Sequence, residues 1–157
     1  MARSNSNCAR SSSLHVDFFS GASTRDVKIW HTLYATACDL APTSNARIAA
    51  AVVRRGEIIS LGHNRLKSHP FQLRFGRNHE SIYWHAETAA IHSAYKRTPE
   101  LLDGASLYVL RVKRPSSTVK HWILGNAKPC PGCATAIQMF GIRHTHYTTD
   151  EGIHHAH

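Results

Sequence analysis

Two short stretches constrain this chain more than anything else in it: His85-Ala86-Glu87 and, about a third of the chain later, Pro129-Cys130-Pro131-Gly132-Cys133. Two thiolates and one imidazole are donors that bind Zn2+, and three protein ligands leave one tetrahedral position open for water. An open position separates a catalytic metal site from a structural one. Any fold that uses these residues together must bring the two stretches to one point.

Their spacing suits that task. Cys130 and Cys133 stand one turn apart at a predicted helix start, where Pro131 is tolerated in the first turn. The free amides and positive dipole end of such a helix lower thiol pKa values and favour the thiolate. His85 opens a predicted helix of its own, so two helix N-termini can meet at one ion. Glu87, two residues on, can reach metal-bound water without ligating the metal. Zinc lowers the pKa of bound water from 15.7 to roughly 7, and a carboxylate beside it is placed to move protons. That machinery suits hydrolytic attack on an amidine-like carbon.

Each fragment alone has a plainer meaning, since Cys-x-x-Cys is usually a redox pair or half a structural zinc site, and His-x-Glu recurs by chance. A redox pair belongs near the start of a thioredoxin-like βαβ pattern, whereas this one comes late in the chain. A structural site needs a fourth ligand. The chain's 13 histidines keep one available, but Glu87 would then have no chemical task.

At 157 residues the chain is expected to form one domain over 23–157, behind a flexible tail at 1–22. Ser23 and Asp26 frame a capping box, and Ile29, Trp30, Leu33, Tyr34, Ala37 and Leu40 follow at helical spacing, giving a helix that ends before Pro42. Arg47 to Val53, a turn at Arg54-Arg55-Gly56 and Glu57 to Leu61 read as a β-hairpin. Gly62 to Ser81 reads as a long basic loop. A helix from near Tyr83 to Tyr95, a strand over Ser106 to Val112, a loop over Lys113 to Lys128 containing Trp122, a helix through Phe140 and a strand over Ile142 to Thr148 complete an alternating α/β pattern. Trp122 is expected to pack rather than to shape a pocket.

The formal charge of +9 favours an anionic partner, with phosphate the obvious anion. No stretch reaches the roughly 18 apolar residues that span a bilayer, and a cytoplasmic protein without membrane attachment is expected. Cys8 and Cys38 lack a partner at ligand spacing and are expected to be a tail thiol and a helix residue. His144, His146, His154, His155 and His157 could gather metal adventitiously and are read as exposed surface.

The paired motifs resemble those of the cytidine and deoxycytidylate deaminase superfamily, whose zinc deaminases carry H-x-E followed by P-C-x-x-C. The likeness extends to Ala49-Ala50-Ala51-Val52-Val53, Gly62-His63-Asn64, Gly104 to Val109 and Gly141 to Tyr147. It implies a three-layer α-β-α sandwich around a central five-stranded mixed sheet, assembled as a homo-oligomer. It also implies zinc ligands at His85, Cys130 and Cys133, proton transfer by Glu87, a sugar contact at Asn64 and a base contact from the Ala86 backbone. Among relatives, deoxycytidylate deaminases and phage-type enzymes look nearest, which makes dCMP the expected substrate. Arg65, Lys67 and His69, with Arg74, Arg77 and His79, are the expected phosphate donors. The rival partner is single-stranded DNA or transfer RNA, which a charge of +9 would suit. A non-catalytic zinc-stabilised module for nucleic acid is the remaining alternative.

Overall fold

A computed structural model describes residues 19–40, 46–76 and 83–156. The first helix, α1, runs Thr24–Asp39. Ser23 caps it by accepting from the Asp26 amide at 3.2 Å, and the Ser23 hydroxyl donates to the Asp26 carboxylate at 2.7 Å. Its apolar stripe of Ile29, Trp30, Leu33, Tyr34 and Ala37 is buried, as the period requires. Leu40 is the C-cap rather than a core residue.

Two antiparallel strands follow, β1 (Ala46–Arg54) and β2 (Glu57–His63). Arg55 and Gly56 join them with φ of 53° and 83°, the pair of positive angles that a tight two-residue hairpin turn demands. The next segment departs from the single loop expected there. Among the described residues it holds β3 (Arg65–Ser68) and a short helix α2 (Pro70–Leu73), and β3 pairs antiparallel with β4 (Tyr83–Trp84), which stands where the next helix was expected to begin. The elements are too short to show a period, which is why the sequence reads as loop.

The chain continues through α3 (Ala86–Arg97), β5 (Ser106–Lys113), β6 (Ile123–Gly125), α4 (Pro131–Met139), β7 (His144–Thr149) and β8 (Gly152–Ala156). The sheet order is β2-β1-β5-β7-β8, with β6 paired to the far end of β5. Only β5 and β7 are parallel, so the five-strand path is mixed as expected. Of the histidines expected as exposed surface, His154 and His155 are exposed on edge strand β8, His144 and His146 are half-buried on β7, and His157 lies outside the described residues.

Strands β1 and β5 are buried on both faces, and alternation sends neighbouring residues to two separate cores. Ala49, Ala51, Val53, Tyr108, Leu110 and Val112 meet α1 on one face. Ala50, Val52, Leu107 and Val109 meet Phe71, Ala86, Ala90, Ile91 and Ala136 on the other. These are the three layers. Phe19 falls in the expected tail but is 3% exposed and stacks on Trp30, so the folded domain starts earlier than residue 23.

Close approach fixes the site-bearing layer. A Cβ on Gly62 would strike the Ala90 amide and the Ala86 carbonyl, so this glycine lets α3 lie hard against β2. Ser60 adds a buried hydrogen bond to the Ala90 carbonyl at 2.7 Å. No helix among the described residues is long and apolar enough to cross a membrane.

Candidate metal centre and active site

His85 is the N-cap residue of α3 and Cys130 the N-cap residue of α4. His85 Nδ1 lies 3.6 Å from Cys130 Sγ and 3.3 Å from Cys133 Sγ, and the donor atoms all fall within 4.8 Å of one another. The two stretches that open the sequence argument therefore do converge. Cys133 is fully buried and Cys130 half-buried, so the cluster opens on one side only.

The Cys133 thiol donates a hydrogen bond to Cys130. Hydrogen bonding from Cys133, with His85 beside it, outweighs burial and holds Cys130 down to about 4. Cys133 is pushed up, because it supplies that proton and is buried next to Glu87. A cation among the three donors reverses the cost of the second thiolate, which is the electrostatic sense in which this donor set fits Zn2+. Imidazole plus two thiolates is also a donor set typical of zinc.

Glu87 is 6% exposed, in the first turn of α3. Burial raises its pKa, and the backbone amide of its own turn and His85 pull the other way. It sits within hydrogen-bonding reach of Cys133.

The open side of the cluster gives onto a cavity of about 310 Å3 lined by His85, Glu87, Cys130, Asn64, Trp84 and Arg111 among others. Asn64 is held by both its backbone and its side chain. Its Oδ1 accepts from the Ile48 amide at 2.9 Å and its own amide donates to the Ile48 carbonyl at 3.1 Å. That leaves the side-chain NH2 as the donor for a ligand. Arg65 also lines the cavity, with its guanidinium 5.2 Å from the Trp84 ring centre.

The other expected phosphate donors among the described residues are not brought there. Lys67 is exposed on β3 and is not among the cavity-lining residues. His69 is committed elsewhere, as N-cap of α2 accepting from the Phe71 amide at 3.1 Å and stacked on Trp84 at 3.7 Å. Arg74 lies over Phe71 and Phe75. Arg77 and His79 lie outside the described residues. Ala86 is fully buried and not among the lining residues.

Sequence reasoning passed over two lining cations, Arg111 and Lys128. Arg111 had a legible signal, a lone charge at the end of the apolar run Leu107 to Val112. Alternation places it on the cluster's face of β5, its Nη1 donates to the Asn126 carbonyl at 3.3 Å, and its buried Nε has no partner among the described residues. Gln72 was also passed over. Fully buried, it accepts through Oε1 from the His85 amide at 3.2 Å and from the Thr88 hydroxyl. Trp122 packs against the core beneath α1, with Arg47 and Arg114 within 4.5 and 4.7 Å of its ring centre. Cys38 is a residue of α1 as expected and is disulfide-bonded, and Cys8, the expected tail thiol, lies outside the described residues.

Fold and site together define a three-layer α-β-α domain with an imidazole-dithiolate cluster at two helix starts and a buried acid beside it. Residues 23–149 match the sequence model of the cytidine and deoxycytidylate deaminase zinc-binding region, and the chain belongs to that family. No curated protein sequence matches it. Among solved structures, the fold is similar to cytidine deaminase from Burkholderia pseudomallei, with TM-score 0.50 at 20% identity over 80% of this chain and 90% of that one. It is also similar to dCMP deaminase from the cyanophage S-TIM5 in complex with dCMP and dUMP, with TM-score 0.50 at 19% identity over 81% and 83%. At these identities the likeness establishes the fold alone.

Proposed function

We propose that this chain hydrolyses the exocyclic amine of cytosine on a nucleotide, with dCMP to dUMP the favoured reaction. The observation that carries the reading is the convergence of His85, Cys130 and Cys133 beside buried Glu87 at the floor of one cavity. Family membership supports the deaminase chemistry. Bound by the three donors, zinc would supply a polarised water whose pKa falls to roughly 7.

The chain's own residues do the rest. Glu87 takes the proton of the attacking water and delivers it to ring nitrogen N3 as oxygen adds to C4. It then takes the proton of the new C4 hydroxyl and hands it to the amine, which leaves as ammonia while C4 keeps the oxygen as the carbonyl of uracil. The buried setting of Glu87 keeps bulk water from competing for those protons. Asn64 presents its NH2 to the sugar, and Arg65, Arg111 and Lys128 give the cavity the positive wall that a phosphate needs. A volume of about 310 Å3 is at the small end of ligand pockets and matches a mononucleotide better than a triphosphate.

A polynucleotide substrate is the second reading, favoured by the charge of +9 and by the exposure of Arg65 and Lys128 on the rim. Ammonia release from deoxycytidine, dCMP, dCTP and a single-stranded oligonucleotide separates the two. The zinc-loaded protein is expected to turn over dCMP best. Turnover of the oligonucleotide alone, falling steeply with salt, would replace dCMP by a strand, and no turnover of any of them would remove the catalytic reading.

A further inference from the structure

The face of β7 and β8 turned away from the His85 cluster carries histidines for which deamination has no use. The register pairs His146 directly with His155 across the two strands. Their Nδ1 atoms stand 2.6 Å apart and their ring centres 4.8 Å apart. Each neutral imidazole has one nitrogen with a lone pair, so two nitrogens this close repel unless a proton or a metal ion lies between them. His144 lies on the same face, its ring centre 6.5 Å from that of His146.

What lies beneath the pair is anionic and fixed. The Tyr108 ring centre is 4.5 Å from that of His146, and the Tyr108 hydroxyl donates to Asp26 at 2.7 Å. Both histidines lie within electrostatic range of that carboxylate. Tyr108 belongs to the α1-side core and Ala136 of α4 to the opposite one, so the sheet separates this pair from the cysteine cluster.

We infer that His146 and His155 form a second metal site, binding a divalent ion of borderline softness such as Zn2+ or Ni2+ through both Nδ1 atoms, with water completing the shell. Imidazole suits these ions, and Zn–N bonds of about 2.0–2.1 Å at tetrahedral angles put the two nitrogens roughly 3.3 Å apart. The rings reach that separation by opening less than about 1 Å, an easy rotation for exposed His155 on edge strand β8 while half-buried His146 on β7 keeps its place. Asp26 offsets part of the ion's charge from below, as carboxylates outside a metal's ligand shell commonly do. Occupancy ties edge strand β8 to β7, because an ion that binds only the paired strands stabilises their pairing. The site stands independently of the deamination reading.

Zinc content after dialysis against low-micromolar free zinc tests it on the full chain. The wild type is expected to hold two ions per chain. The double variant His146→Ala/His155→Ala is expected to hold one, and Cys130→Ser/Cys133→Ser to keep one. Wild-type protein also needs no mutation for a second readout: zinc should shield His146 and His155 from diethyl pyrocarbonate, located by mass spectrometry. A zinc content that the histidine double substitution leaves unchanged, loss of all zinc in Cys130→Ser/Cys133→Ser, or unaltered modification of these rings with zinc present would each overturn the site.

Discussion

His85 is the N-cap of α3 and Cys130 the N-cap of α4, each is a proposed metal donor, and only one of them caps its own helix. Cys130 Sγ accepts from the Cys133 amide at 3.5 Å, so the two cysteine donors are organised by a local turn. His85 makes no side-chain cap. Its ring is turned to the cysteines, and Gln72 from α2 takes over, its oxygen accepting from the His85 amide and from Thr88 three residues on. In an ordinary capping box the residue at Thr88's position would reach the N-cap amide itself. Here one oxygen from another element stands between the two. A donor presented by a local turn is encoded where it sits, whereas a donor freed from capping depends on a residue elsewhere in the chain.

The comparison breaks most visibly if either donor is removed. Cys133→Ala and His85→Ala are both expected to lower the zinc content by one ion per chain and to abolish ammonia release, measured by metal analysis and a coupled ammonia assay. Gln72→Leu sharpens it. That variant strands the His85 amide and the Thr88 hydroxyl in the core at about 1–3 kcal/mol, read as a lower thermal midpoint. Loss of an outer partner of a metal ligand also typically weakens metal binding by about 10–100-fold. Equal losses in Cys130-side and Gln72-side variants of the folded chain would show that the two helix starts do not differ.

Gly132 probes the self-capped start. Its added Cβ would meet the Phe75 carbonyl, so Gly132→Ala is expected to lower stability by about 1–3 kcal/mol in chemical denaturation through overpacking. The smallest effect belongs to α1, a third helix start with no metal. Burial raises the Asp26 pKa, but hydrogen bonds from Ser23 and Tyr108 and the nearby histidines outweigh it, for a net lowering. A carboxylate lowered on folding stabilises above its unfolded pKa and loses that contribution as pH falls through the folded value. The stability difference between wild type and Asp26→Asn is therefore expected to shrink on acidification below the ordinary aspartate range.

The same contrast explains what could be read from the sequence. The α1 stripe, the Arg55-Gly56 turn and each of the two motifs rest on residues within a few positions of each other, where period and turn chemistry act, while the meeting of His85 with Cys130 across 45 positions was legible only through the ligand chemistry the motifs share. Gln72 acts across 13 positions on His85 and left no local trace. Lys67 and His69 were placed in the site by charge, and charge carries no direction: β3 leaves Lys67 exposed, and capping of α2 consumes His69. Arg111 was legible in principle, because an arginine ending an apolar strand run has to find a reason to be there. Strand β8 was hidden by histidines, which have no strong strand preference, although pairing with β7 decides its conformation.

The central claim is that one imidazole and two thiolates hold a zinc ion with a position left for water. X-ray absorption at the zinc edge of the Cys130/Cys133-intact protein carrying His146→Ala/His155→Ala isolates that ion. The account predicts two sulfur neighbours near 2.3 Å and two nitrogen or oxygen neighbours near 2.0 Å. A shell with no sulfur, or one closed by four protein nitrogen and sulfur donors, would contradict it.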